Sequence, residues 1–266
     1  MGEESKGRDP VNVICLKWGT LYGPDYVNRL YKGVKANMDR PFRFVCFTED
    51  PSGLAEGVEA APIPPPPEGW RYKWPGLFAK LCLFKDGVAD LKGPTLFLDV
   101  DQIIIGDLGR FFDYRPGEFC IIYNWIEWRK TLFRKRPRIG NSSCFRFDAG
   151  KSNKVYEIFE RIQKDPAEEP RFRKGSQKFQ TMAMFETGKV SWWPKEWVCS
   201  FKRSLVPPFP LNLVLPARKP KNASILCFHG SPNPHEAITG FRKGHINTWV
   251  RPTKWVKELW EPVEGE

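Results

Sequence analysis

No run of roughly 18 apolar residues occurs in the 266-residue sequence, so no membrane-spanning helix is expected. The first ten residues are polar and carry no apolar stretch, so no secretory leader is expected. Residues 1–9 read as a disordered tail ahead of one domain over 10–266. Lys6 stands where a myristoylation signal needs Ser or Thr. No two cysteines are spaced CxxC, which speaks against a structural zinc site. The seven (Cys15, Cys46, Cys82, Cys120, Cys144, Cys199 and Cys227) are scattered singly, mostly inside apolar runs. Small buried thiols sit that way, and an odd, unpaired set fits a reducing, cytoplasmic compartment. No internal repeat and no nucleic-acid motif is present, so nucleic acid is not an expected partner.

What is there is positive charge and aromatic surface. Net charge is +11, and Arg129, Lys130, Arg134, Lys135, Arg136 and Arg138 crowd into one stretch, with Arg171, Arg173 and Lys174 further on. Such a surface attracts anionic substrates or an anionic membrane face. Aromatic residues make up 14%, with 11 Trp. Trp255, Val256, Leu259 and Trp260 share one helical face near the end of the chain. That face suits docking on the core or peripheral contact with the inner face of a membrane. With 41% hydrophobic and 27% charged residues, the composition is that of a globular domain.

The patterning alternates strand and helix. Val11–Lys17 and Phe42–Thr48 are short, apolar and β-branched, as buried strands are. Between them Tyr26, Val27, Leu30, Tyr31, Val34 and Met38 recur at helical spacing. A strand, a helix and a strand in about forty residues predict a right-handed parallel βαβ unit. Residues 62–67 (PIPPPP) read as a stiff surface segment. Trp74–Phe84 reads as a helix with Pro75 in its first turn. Thr95–Leu98, Gln102–Ile105, Phe119–Tyr123, Ser143–Phe147 and Ser224–Phe228 read as extended. Ser152–Gln163 and Gln177–Phe185 read as helices.

The sharpest chemical signal is TLFLDVDQIII. In a strand, residues two apart share a face, so Asp99 and Asp101 are expected to project together past a buried strand. Paired carboxylates repel, and a hard divalent cation relieves the repulsion. The carboxyl ends of strands are where α/β sheets bind ligands. A cation there neutralises a diphosphate leaving group. His229 also follows an apolar strand and precedes Gly230, and a neutral imidazole suits the same kind of ion.

With these residues in their order, the chain resembles the GT-A-type glycosyltransferases, most of all the glycogenin and bacterial family-8 group, over roughly residues 11–235. The resemblance implies a mixed, mostly parallel, Rossmann-like α/β sheet flanked by helices. ICLKWGTLYG resembles the opening strand and turn that hold the nucleoside, which implies roles for Lys17, Trp18, Gly19 and Tyr22. FAKLCLF resembles the helix whose lysine, here Lys80, meets the donor phosphates. FLDVDQIII matches the DxD motif, with Asp99, Val100 and Asp101 at the donor and metal. NSSCFRFDAG resembles a segment that brings Asn141 and Ser142 to the donor sugar. LCFHGSPNP resembles the closing element, with His229 as third metal ligand and Gly230 beside the donor.

Two departures stand out. Relatives carry Gly-Asp-Gln at the start of a helix lining the sugar site, where this chain has Gly175-Ser176-Gln177. Gln177 remains to contact the sugar, and the charge at Ser176 is gone. The late lysine of the family is Asn233 here, leaving Arg242 or Lys243 as alternative cations for the diphosphate. The resemblance implies a retaining hexosyltransferase that uses Mn²⁺ or Mg²⁺ and a UDP-sugar. Its acceptor would be a glycan, a lipid-linked glycan or a protein. The missing carboxylate keeps a second reading open, a nucleotide- or glycan-binding protein without turnover. A phosphohydrolase DxD and a sugar nucleotidyltransferase loop fit the sequence poorly.

Overall fold

The computed structural model describes residues 9–71, 73–125, 138–165 and 175–261. The expected N-terminal tail (apart from Asp9), the basic stretch other than Arg138, and Arg171, Arg173 and Lys174 lie outside these residues. Strand β1 (Val11–Lys17) is buried along its length, as is most of β2 (Phe42–Thr48). They pair in parallel, Val11 opposite Phe42 through Lys17 opposite Thr48, and helix α1 (Pro24–Ala36) crosses between them. Pro24 opens α1 where no backbone donor is needed, and Tyr26, Val27, Leu30 and Val34 form its buried face. The predicted βαβ unit is therefore present.

Strands β3 (Glu59–Ala61), β4 (Gly93–Leu98), β6 (Phe119–Tyr123), β7 (Gly140–Ala149) and β8 (Val190–Trp192) complete a seven-stranded sheet in the order β3-β2-β1-β4-β7-β6-β8. Pairing is parallel except where β7 runs antiparallel to β4 and β6. Strands β5 (Gln102–Ile104), β9 (Val198–Ser200) and β10 (Ile225–Cys227) form a second, three-stranded sheet ordered β5-β10-β9.

The strand pleat divides the core. Val11, Val13 and Cys15 face α1 and the small sheet, while Ile14 and Leu16 face the other way. On that second face lie α2 (Ala79–Cys82), α4 (Asn153–Lys164) and α5 (Ser176–Thr187). Helix α3 (Gly109–Asp113) sits under β4 on the first face. The final helices, α6 (Pro234–Thr239) and α7 (Lys254–Trp260), pack on α1. Trp260 meets the Tyr26 ring edge-on at 4.8 Å and lies under Arg29. Trp255 Nε1 donates to Ala217 O. The aromatic face of the tail thus packs on the protein rather than lying open to a membrane. No helix among the described residues is long and apolar enough to cross one.

Two expectations need correction. The helix expected over Trp74–Phe84 is only the four residues of α2. Ala79, Leu81, Cys82, Leu83 and Phe84 are all buried, so the apolar run marks tertiary burial rather than helical period. The Asp99 and Asp101 carboxylates are not carried on a continuing strand. Gln102 N donates to Asp99 O, closing a turn in which the chain leaves one sheet and enters the other.

Arg146 on β7 is buried to 2% exposure, and its guanidinium donates to the carbonyls of Phe111, Phe112, Tyr114, Arg115 and Glu118. These fix α3 and the loop after it. Replacing Arg146 by Met orphans several buried carbonyls at once. We expect a loss of at least about 3 kcal/mol, seen as a melting point lower by about 6 °C or more. An unchanged melting curve would contradict this role for Arg146.

Candidate nucleotide and sugar site

The chain runs from β1 outward to β2 and β3, then returns to place β4 on the other side of β1. The crevice at the carboxyl ends of two such strands is the usual ligand site of an open α/β sheet. Lys17, which is buried, ends β1, and the turn holding Asp99, Val100 and Asp101 follows β4. Val100 points into the core, leaving the carboxylates on either side of it at the crevice.

Lys80 on α2 reaches this turn. Its Nζ donates to Asp99 Oδ1 at 2.6 Å and to Ser142 O at 3.1 Å, and lies 4.7 Å from the Phe97 ring centre. Asp101 is 7% exposed. Tyr22 OH donates to its Oδ2 at 3.3 Å, while Oδ1 has no hydrogen-bond partner. Burial first, and the Asp99 carboxylate second, push the Asp101 pKa up to about 8. Burial and Asp101 likewise hold the Tyr22 phenol protonated far above its ordinary range. An orphaned, buried carboxylate oxygen beside a second carboxylate is a donor set that suits a hard divalent cation.

Strand β7 forms the next wall. Asp99 N donates to Ser143 O, and Gln102 Nε2 donates to the same carbonyl at 2.6 Å. Asn141 and Ser142 are buried, and Asn141 Oδ1 accepts from Ser143 N. Thr181 on α5 accepts from Gly140 N and donates to Gln177 O. The first turn of α5, with Ser176 and the half-buried Gln177, is thereby tied to the start of β7. On the β1 side, Trp18 is partly exposed, and Gly19, at φ +63°, donates its N–H to Glu49 Oε2.

The late loop closes on the same crevice. Strand β10 pairs antiparallel with β5, Cys227 opposite Gln102. Asn233 Oδ1 lies 3.2 Å from Tyr22 OH and shares that hydroxyl's single proton with Asp101, so Asn233 lies beside the carboxylate turn. Gly230 is exposed, and its φ of +70° is one glycine adopts without strain. Arg242 and Lys243 take no part: Arg242 lies over the Trp249 ring and Lys243 pairs with Glu236.

His229 is not assembled with the carboxylates. Its Nε2 shares a hydrogen bond with Ser200 Oγ, a buried hydroxyl that also accepts from Arg203 N, and its ring stacks on Trp125 at 5.2 Å. Among the described residues no three His, Cys, Asp or Glu side chains are arranged to hold one metal ion. Sequence reasoning did not find Trp125 or Ser200, because contacts distant in the chain set their roles.

Burial, then the nearby Arg203 and Lys202, lower the His229 pKa to about 4. The unfolded reference is near 6.5, so this contribution to stability is fully present above pH 6.5. It is lost as pH falls toward 4, on the order of 3 kcal/mol in all. His229→Gln is expected to flatten the fall in melting temperature between pH 6.5 and 4. Equal slopes in the two proteins would remove His229 as the cause.

No protein-family model matches the sequence, and no curated protein matches it. Solved structures do. The chain is similar to the galactosyltransferase LgtC in complex with donor and acceptor sugar analogues, at 12% identity and a TM-score of 0.51, covering 84% of this chain and 88% of that one. It is similar to the glycosyltransferase GlyE of Streptococcus pneumoniae TIGR4 at 13% identity and a TM-score of 0.56, covering 94% and 60%. The bifunctional glycosyltransferase WbbM matches at 14% identity and 0.55, covering 84% and 46%. The expected GT-A-type α/β fold is therefore the fold of this chain.

Proposed function

We propose that the chain transfers a sugar from a nucleoside diphosphate, UDP in the first instance, to an acceptor hydroxyl. The observation that carries this reading is the convergence of Lys80, Asp99, Asp101 and Tyr22 at the reversal point of a GT-A-type sheet. In this reading Trp18 offers a face to the base, and Gly19 lets the backbone approach the nucleoside. Asn141, Ser142 and Gln177 border the donor sugar. Lys80 sets a rigid ammonium against the diphosphate, where charge grows as the sugar leaves. Mn²⁺ or Mg²⁺, held by Asp99 and Asp101, would supply Lewis-acid charge to the same diphosphate. Asn233 and Tyr22 keep the Asp101 carboxylate in place. Retention of anomeric configuration is the outcome the family resemblance implies. The acceptor hydroxyl then attacks from the leaving-group side and gives its proton to the departing phosphate, a route that does not require a carboxylate at position 176. The seven unpaired cysteines support a cytoplasmic setting.

Ser176 favours one other reading, a protein that binds the nucleotide without turnover. A UDP-release assay over a panel of UDP-sugars with Mn²⁺ separates the two. Release that stops with chelator supports transfer or its hydrolytic side reaction. Tight UDP binding with no release from any donor supports the binding protein.

A further inference from the structure

A pocket of about 600 Å³ opens where Trp125 stacks on His229. Trp125 forms one wall, and Phe209 another. Lys202, Arg203 and Arg218 line it, and no Asp or Glu is among its described lining residues. Lys202 Nζ donates to Ser231 O, while no hydrogen bond or ion pair engages the Arg203 or Arg218 guanidinium among the described residues. Burial, then Arg203, lowers the Lys202 pKa. Three cations with no carboxylate between them produce a positive potential that an anion relieves. The loop of residues 229–233 joins this pocket to the crevice, since Ser231 meets Lys202 and Asn233 meets Tyr22.

We propose that this pocket takes the acceptor, and that the acceptor is a saccharide carrying a phosphate. The inference rests on the glycosyl-transfer reading for the word acceptor, and on the pocket alone for the chemistry. Two guanidinium forks and an ammonium match phosphate oxygens. The Trp125 and Phe209 rings match the apolar face of a sugar. A volume of this size suits a small ligand. Arg203 and Arg218 are exposed, so replacing them leaves the core intact.

Calorimetric titration with glucose 6-phosphate, with glucose and inorganic phosphate as controls, tests the site. Wild type is expected to bind glucose 6-phosphate more tightly than either control. The Arg203→Ala/Arg218→Ala double variant is expected to bind it at least tenfold more weakly while binding UDP as before. No binding by wild type, equal binding by the double variant, or equal affinity for inorganic phosphate would overturn the proposal. Loss of glucose 6-phosphate binding in Lys80→Ala instead would also overturn it, by placing the ligand in the nucleotide crevice. Binding that follows the two arginines, in a protein that does not bind UDP, would keep the phosphate site and remove the donor reading alone.

Discussion

Asp101→Asn is expected to lose about 10³-fold in nucleotide-sugar turnover and, without metal, to melt at a higher temperature than the wild type. Both effects have one source. Burial and the neighbouring Asp99 raise the Asp101 pKa to about 8, against an unfolded value near 3.9. Between those values the folded chain holds a proton that the unfolded chain has released. Stability from this group is therefore fully present below about pH 4 and is lost as pH rises through about 8. As pH rises from about 4 to 8 the wild-type fold must take up a proton to keep Asp101 neutral, and above about 8 it carries a buried carboxylate with an unpartnered oxygen. Asparagine removes the charge and keeps the shape and the hydrogen bond from Tyr22. The melting-point advantage of the variant should grow from pH 5 to pH 8 in the presence of chelator. Turnover near the wild-type level, or a variant that melts lower at pH 8, would contradict this assignment of Asp101.

Lys80→Ala is expected to lower kcat by about 10²–10³-fold, the range seen when one preorganised donor to a developing anion is removed. The Lys80 side chain is only 18% exposed and is fixed by Asp99, the Ser142 carbonyl and the Phe97 ring. Little reorganisation stands between its resting position and a diphosphate bound at the turn. Without it, Asp99 and Asp101 face each other with no cation. The metal-free variant should melt lower than wild type, and added Mn²⁺ should raise its melting point more than that of wild type. A variant with wild-type kcat, or no difference in the response to Mn²⁺, would remove Lys80 from this role.

The sequence made some of this legible for clear physical reasons. The bounds of β1 and β2 followed from β-branched runs buried on both faces, and α1 from an apolar stripe at helical spacing. The segment around α2 misled because its apolar residues are buried by contacts from elsewhere in the chain. Strand alternation also misplaced the Asp pair: the shared face arises from a turn with Val100 turned into the core. The tie between His229 and Ser200, the Trp125 stack and the Asn233–Tyr22 contact join residues 29 to 211 positions apart, and no local pattern announces them.

The most direct test is calorimetric titration of UDP into the protein with Mn²⁺, repeated with chelator and repeated with Asp101→Asn. The account predicts micromolar binding by wild type that collapses on chelation and is lost in the variant. No binding in any condition, or binding indifferent to both chelator and Asp101, would contradict it.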